Sequence, residues 1–142
     1  MLTPQITFVI AAFAATLTGQ PAAEVTFRTV ARGADSRVDV RREVVARTGG
    51  SWQVLWHKHS GADDRPTVDT PREMVLAVFA GRRPGPGHSV HIAGVSREGT
   101  DLVVRYRLQA ATVATAAGST STPYQIIAVA ADRAPVRFIE DR

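Results

Sequence analysis

The histidines are the first residues in this chain whose type and spacing could do chemistry. His57 and His59 flank Lys58, and His88 and His91 form a second pair. Side chains two apart share a face only on a strand, whereas His57 and His59 fall in a stretch that reads as helix. Neither pair belongs to a His-Glu-x-x-His or comparable zinc spacing. The chain has no cysteine, so thiolate metal sites and disulfides are both excluded. Ser89 follows His88, but neighbours along a strand point to opposite faces, so the two are not a nucleophile–base dyad. No G-x-S-x-G turn occurs. Asp63, Asp64 and Asp69 lie in GADDRPTVD. That loop lacks the alternating ligands and closing glutamate of a calcium loop, and it reads as solvated surface. Gly85 and Gly87 are split by a proline and open a strand, so they are not a phosphate-binding turn. No catalytic residue, metal ligand or cofactor site is expected.

What remains is a surface for another molecule. Arg82 to Gly87 reads RRPGPG and is followed by His88. Two prolines and two glycines make this a stiff, extended connection, which binds with little ordering cost. Arg82, Arg83, Pro84, Pro86, Gly87 and His88 are therefore candidates for contact with a partner, and so is Tyr124 at a strand start after Pro123. A stabilising contact and protease inhibition are both open to such a loop, as is the plainer role of a hairpin connection. Trp52 and Trp56 are of a type enriched at binding hot spots. On one helical face beside Leu55, however, they read as core.

The elements that position these residues are mostly strands. Val25, Phe27 and Thr29 alternate with Thr26, Arg28 and Val30, as on a half-buried strand. Gly33 to Ser36 is turn material, Val38 and Val40 alternate with charges, and Val44-Val45-Ala46 is a short apolar run. Gly49-Gly50 then reads as a breaker, and Ser51 as the cap of a helix with Trp52, Leu55, Trp56 and His59 on one face. Thr70-Pro71-Arg72-Glu73 resembles a capping box. It opens a single turn that leads into the buried run Met74 to Phe79. Two strands follow around Glu98-Gly99. The second, Leu102 to Gln109, has the clearest period-two pattern in the chain. Ala110 to Thr122 reads as an exposed low-complexity loop, Tyr124 to Val129 as a strand, and Val136 to Ile139 as a last short one. The expected fold class is α+β: a mainly antiparallel sheet with one or two short helices in the first half, after an N-terminal signal segment.

The composition agrees with a folded, exported chain. The 142 residues suit one domain, and 44% apolar with 21% charged residues are globular values. The net charge is +4, with 16 arginines against the single Lys58. These are scattered and interrupted by acids, unlike the clustered face of a nucleic-acid binder. Met1–Ala23 carries no charged side chain, and Ile6 to Leu17 is a mostly apolar run. That run is short for a membrane span of about 20 residues. It suits a cleaved signal ending near Ala22-Ala23. The segment lacks the usual preceding Lys or Arg, and a buried helix is the competing reading. The division expected is residues 1–23 as signal and 24–142 as one domain. Export places it in the periplasm or outside the cell, with no membrane span after cleavage.

Several motifs follow in a fixed order. They are Trp52-Gln53-Val54-Leu55-Trp56, Pro66-Thr67-Val68-Asp69, Arg72 to Gly81 (REMVLAVFAG), Gly87-His88-Ser89-Val90-His91-Ile92, and Ser121 to Ile127 (STPYQII). This order resembles the C-terminal domain family of PrcB, a protease-complex subunit, from Val25 to Ile139. Thr70 stands where the family has Phe after Val-Asp, and Pro86-Gly87-His88 stands where it has Gly-Gly-Tyr. The resemblance implies a non-catalytic accessory domain that binds and stabilises another protein, with an exported protease as the partner class. Inhibition of a protease through Arg82–His88 is the alternative.

Overall fold

Met74 to Phe79 contains no polar side chain. A strand can be apolar throughout only if both of its faces are covered. In the structure, a computed structural model that describes residues 22–110 and 118–142, this run is strand β4 (Glu73–Phe79), and both faces are covered. The other strands are β1 (Ala23–Glu24), β2 (Phe27–Gly33), β3 (Arg42–Ala46), β5 (Arg83–Pro84), β6 (Ser89–Glu98), β7 (Asp101–Gln109), β8 (Thr120–Ser121), β9 (Tyr124–Ala130) and β10 (Val136–Glu140). One helix, α1 (Gly49–Ser60), lies between β3 and β4. One sheet has the order β1-β6-β7-β10, a second has the order β2-β9-β4-β3, and β5 and β8 form a two-stranded ribbon.

Period two along β4 builds three layers. Met74, Leu76 and Val78 face the first sheet and meet Val90, Ile92, Leu102, Val104 and Tyr106. Val75, Ala77 and Phe79 face the other way and meet Ile126 of β9 with Trp52 and Leu55 of α1. The helix therefore covers the outer face of the second sheet, while the two sheets pack inner face to inner face. Trp52 is fully buried, and its indole Nε1 donates to the Pro66 carbonyl at 3.2 Å. This is the core role its helical spacing indicates.

The helix begins three residues earlier than its expected cap. Thr48, not Ser51, is the N-cap: its Oγ1 accepts from the Ser51 amide and the Ser51 Oγ accepts from the Thr48 amide, each at 3.0 Å. Gly49 and Gly50, expected to break the chain, form the first turn, where few intrahelical bonds are at stake. Gly61 ends the helix at φ 72°, and its amide reaches the His57 carbonyl at 2.7 Å.

Other expectations hold with changes. The first strand is split, and Val25 and Thr26 lie between β1 and β2. Thr70 to Glu73 makes one turn, closed by the Glu73 amide on the Asp69 carbonyl at 2.7 Å, before β4 starts. The Glu73 carboxylate reaches back to the Asp69 amide at 3.1 Å, not to Thr70. β6 and β7 form the expected hairpin around Glu98 and Gly99. β10 departs from the antiparallel rule and runs parallel to β7, with Val136 opposite Leu102. The end of the expected loop 110–122 pairs with other segments: Thr120–Ser121 with Arg83–Pro84, and Thr122 with Asp35. Its residues 111–117 lie outside the described residues, as does the signal reading over 1–21. Among the described residues no helix is long and apolar enough to cross a membrane.

Candidate functional site

Gly81 opens the proline-rich segment at φ 76°, and a Cβ there would stand 2.7 Å from the Arg41 backbone nitrogen. Only glycine lets β4 end so close to the strand lead-in at 39–41. Arg82 is then tied to that lead-in. Its amide donates to the Asp39 carbonyl at 2.9 Å and its guanidinium sits 3.4 Å from the Asp39 carboxylate. Arg83 and Pro84 pair with Ser121 and Thr120. The Gly85 amide donates to the Ser119 carbonyl at 2.7 Å, and the Ser121 hydroxyl donates to the Gly85 carbonyl at 2.8 Å. Finally, the His88 ring Nε2 lies 2.8 Å from the Pro84 carbonyl. A carbonyl only accepts, so Nε2 carries the proton there. The segment is held at both ends and in its middle, and Pro84, Pro86 and Gly87 are left exposed on it.

Arg83 and His88 line one small depression together with Leu108 and Pro123, about 90 Å³ in volume. That space suits part of one side chain and is too small for a cofactor. The Tyr124 ring is elsewhere. It lies 4.1 Å, centroid to centroid, from the ring of His59 and stacks at 6.3 Å on Phe79, in the aromatic cluster under α1. Gly33 makes room for it, since a Cβ there would be 3.2 Å from the phenol oxygen. Burial, with the nearby Asp35 carboxylate second, pushes the Tyr124 phenol above its usual pKa. The structure thus brings Arg83 and His88 together and places Tyr124 in a separate packed cluster.

The titratable groups are distributed, not convergent. His57 faces Asp63 at 3.0 Å on the surface. His59 is buried and shares a 2.8 Å hydrogen bond with Ser36. The Ser36 oxygen also accepts from the Val38 amide at 3.1 Å. Burial holds the His59 imidazole below its ordinary pKa. Among the described residues no group of three or more His, Asp or Glu side chains could hold a metal. One polar cluster joins the sheets. The Tyr106 hydroxyl donates to Glu43 at 2.9 Å and accepts from Arg41 at 2.8 Å, and Arg41 also pairs with Glu140. Burial, first of several causes, raises the Tyr106 pKa, which suits a hydroxyl that links sheets and does not transfer protons.

A larger concavity was not anticipated from the sequence. It is an open groove of about 420 Å³ between α1 and β3, with Val44, Leu55 and Phe79 among its apolar walls. Val40 and Val54 are the large hydrophobic side chains left exposed among the described residues, at 51% and 54%, and both line this groove. Their apolar character at surface positions was the available signal: Val54 lies off the Trp52–Leu55–His59 stripe, on what should be the polar side of the helix.

The PrcB C-terminal family model matches residues 74–130, a span that runs from β4 through β9. The motifs Trp52–Trp56 and Pro66–Asp69 lie outside the matched span. No curated protein and no solved structure matches the chain. From Met74 to Ala130, through the strands that carry both cores and the proline-rich segment, the chain is similar to the PrcB C-terminal family.

Proposed function

We propose that this protein is an exported, non-catalytic accessory domain that binds and stabilises a partner protein, with a protease as the partner class. One observation carries the reading: the match to the PrcB C-terminal family over residues 74–130. The distributed titratable groups described above support it: among the described residues the Ser36–His59 pair is buried and lines neither of the two concavities. On this reading residues 1–23 are a signal removed on export to the periplasm or beyond, and 24–142 act as one domain. Arg82, Arg83, Pro84, Pro86, Gly87 and His88 offer a pre-ordered surface for contact, with Tyr124 packed away from it.

The test is isolation of the tagged full-length protein from its own host, with mass spectrometry of what accompanies it. A peptidase at near-stoichiometric level, whose abundance falls when the gene is deleted, is the expected result. Recovery of monomer alone counts against the proposal. The N-terminus of the isolated protein should begin near Ala23.

A second reading, protease inhibition through Arg82–His88, is favoured by the fixed geometry of that segment. Absence of inhibition across a panel of proteases at micromolar protein would remove it.

A further inference from the structure

Within its sheet, β3 pairs with β4 alone and forms the outer edge. Every second residue of an edge strand turns its N–H and C=O outward, ready to pair with another chain. Proteins commonly blunt such edges with charge. Here the charges, Arg42 and Glu43, occupy only the start of the strand, and Val44-Val45-Ala46 follows without protection. The groove runs beside this edge. Val44 and Ala46 belong to its wall on the sheet side, and Val54 and Leu55 to its wall on the helix side. An added strand would place alternate side chains in it.

The groove also has a direction. α1 leaves β3 through the short link at 47–48 and runs back along it, so the end of the helix returns to the start of the strand. The Arg37 guanidinium confirms this, because it lies over Gly61 just past the helix end, where a Cβ would meet its Nη1 at 2.0 Å. Arg37, Arg42 and Lys58 therefore gather at one end. Among the described residues none of the three has a carboxylate partner within ion-pair distance. Asp39, the acid in the groove lining, is engaged by Arg82. The other end, at Ala46 and Ser51, is uncharged.

We propose that this groove is the docking site for the partner, and that it takes an extended segment bearing alternate apolar side chains and ending in a carboxylate. The inference rests on the partner-binding reading above. The segment adds a strand to β3, its apolar side chains bury Val40 and Val54, and its carboxylate meets Arg37, Arg42 and Lys58. Main-chain pairing supplies affinity, while the alternating pockets and the basic end supply selectivity.

The probes are two capped hexapeptides of alternating valine and threonine, one closed by glutamate and one by lysine. They are titrated into the isotope-labelled protein and followed by backbone NMR. The glutamate peptide should shift the amides of Arg42–Ala46 and of Ser51–Lys58, and should bind about tenfold more tightly than the lysine peptide. Lys58→Glu should reverse that preference. Val54→Asp, at an exposed helix position that leaves the fold intact by circular dichroism, should abolish binding. Arg107→Glu, at an exposed position of β7 in the other sheet, should leave binding unchanged. Shifts centred on Arg82–His88, equal binding of the two peptides, or peptide-free dimerisation through the groove would each overturn the proposal. Isolation from the host separates the two readings. If Val54→Asp still recovers the partner, the groove is refuted and the accessory function stands. If the unaltered protein recovers none, the accessory function fails and the peptide titration alone judges the groove.

Discussion

Gln125 and Ile92 belong to different sheets and are joined by a hydrogen bond of 2.7 Å from the Ile92 amide to the Gln125 side-chain oxygen. The other end of the same side chain donates to the Thr29 hydroxyl at 3.1 Å. Both partners sit at irregularities: the register of β6 slips between Ile92 and Gly94, and that of β2 between Thr29 and Ala31. A bulge leaves backbone groups outside the ladder. One buried glutamine thus satisfies a group beside each of two bulges and pins the sheets in register. Gln125→Leu keeps the volume and orphans the Ile92 amide. The expected cost is about 1–3 kcal/mol, seen as a lower urea midpoint with an unchanged m-value.

The burial of His59 makes stability depend on pH. His59 binds its proton less readily in the folded chain than an unperturbed histidine, whose pKa is about 6.5, because burial disfavours the charged ring. The unfolded chain therefore takes up more protons just below pH 6.5. The stability contributed by neutral His59 is complete above that point and is lost as the pH falls toward the lowered folded value. Glu73, held below 4.5 by the Arg28 guanidinium, adds a second loss only at lower pH. Chemical denaturation from pH 8 to pH 5 should show falling stability. His59→Gln should be less stable at pH 8 and should have a flatter profile across that window.

The Tyr106 hydroxyl holds Arg41 and Glu43 from across the sandwich. Tyr106→Phe removes both bonds without opening a cavity. Arg41 and Glu43 are exposed enough to rehydrate, so the expected loss is about 1.5 kcal/mol, the low end for bonds to charged groups. Calorimetry should show a lower Tm with the unfolding enthalpy otherwise preserved.

Gly61 combines a positive φ with the overlying Arg37. The guanidinium is the free end of a long side chain and can swing aside, so the backbone carries the cost. Gly61→Ala should lose about 1–2 kcal/mol. Arg37→Ala should not relieve it, and a double-mutant cycle should come out additive.

Patterns of a single element were readable in the sequence, and so was the β6–β7 hairpin around Glu98 and Gly99, but relations between elements distant in the chain were not. The face of α1 and the alternation in β7 follow from local spacing. The length of apolar chain in β4 signals coverage on both sides, but it cannot say that a helix supplies one cover and a sheet the other. Val136–Glu140 is too short to encode its direction, and its parallel pairing with β7 depends on where β9 has left the chain. Arg83–Pro84 and Thr120–Ser121 have no strand pattern at all; they pair because Gly85 bonds Ser119 and Ser121 on the facing segment. The proline-rich segment stood out through its composition. The groove did not, since its walls come from separate segments, with only the surface valines Val40 and Val54 as a hint.

β9 lies between β2 and β4 and is the sole ladder partner of β2 within their sheet. The second sheet therefore cannot close until the chain has reached Ala130. Before that, β4 has an unpaired edge that β9 will later fill, and β2 has nothing to pair with. Such non-local closure favours slow folding, on a scale of about milliseconds to seconds. A nascent chain could pair β3 with β4 and β6 with β7 early, but would leave the second sheet incomplete until Ala130 has emerged. The order of strands in this sheet thus keeps the polypeptide threadable while it is being made.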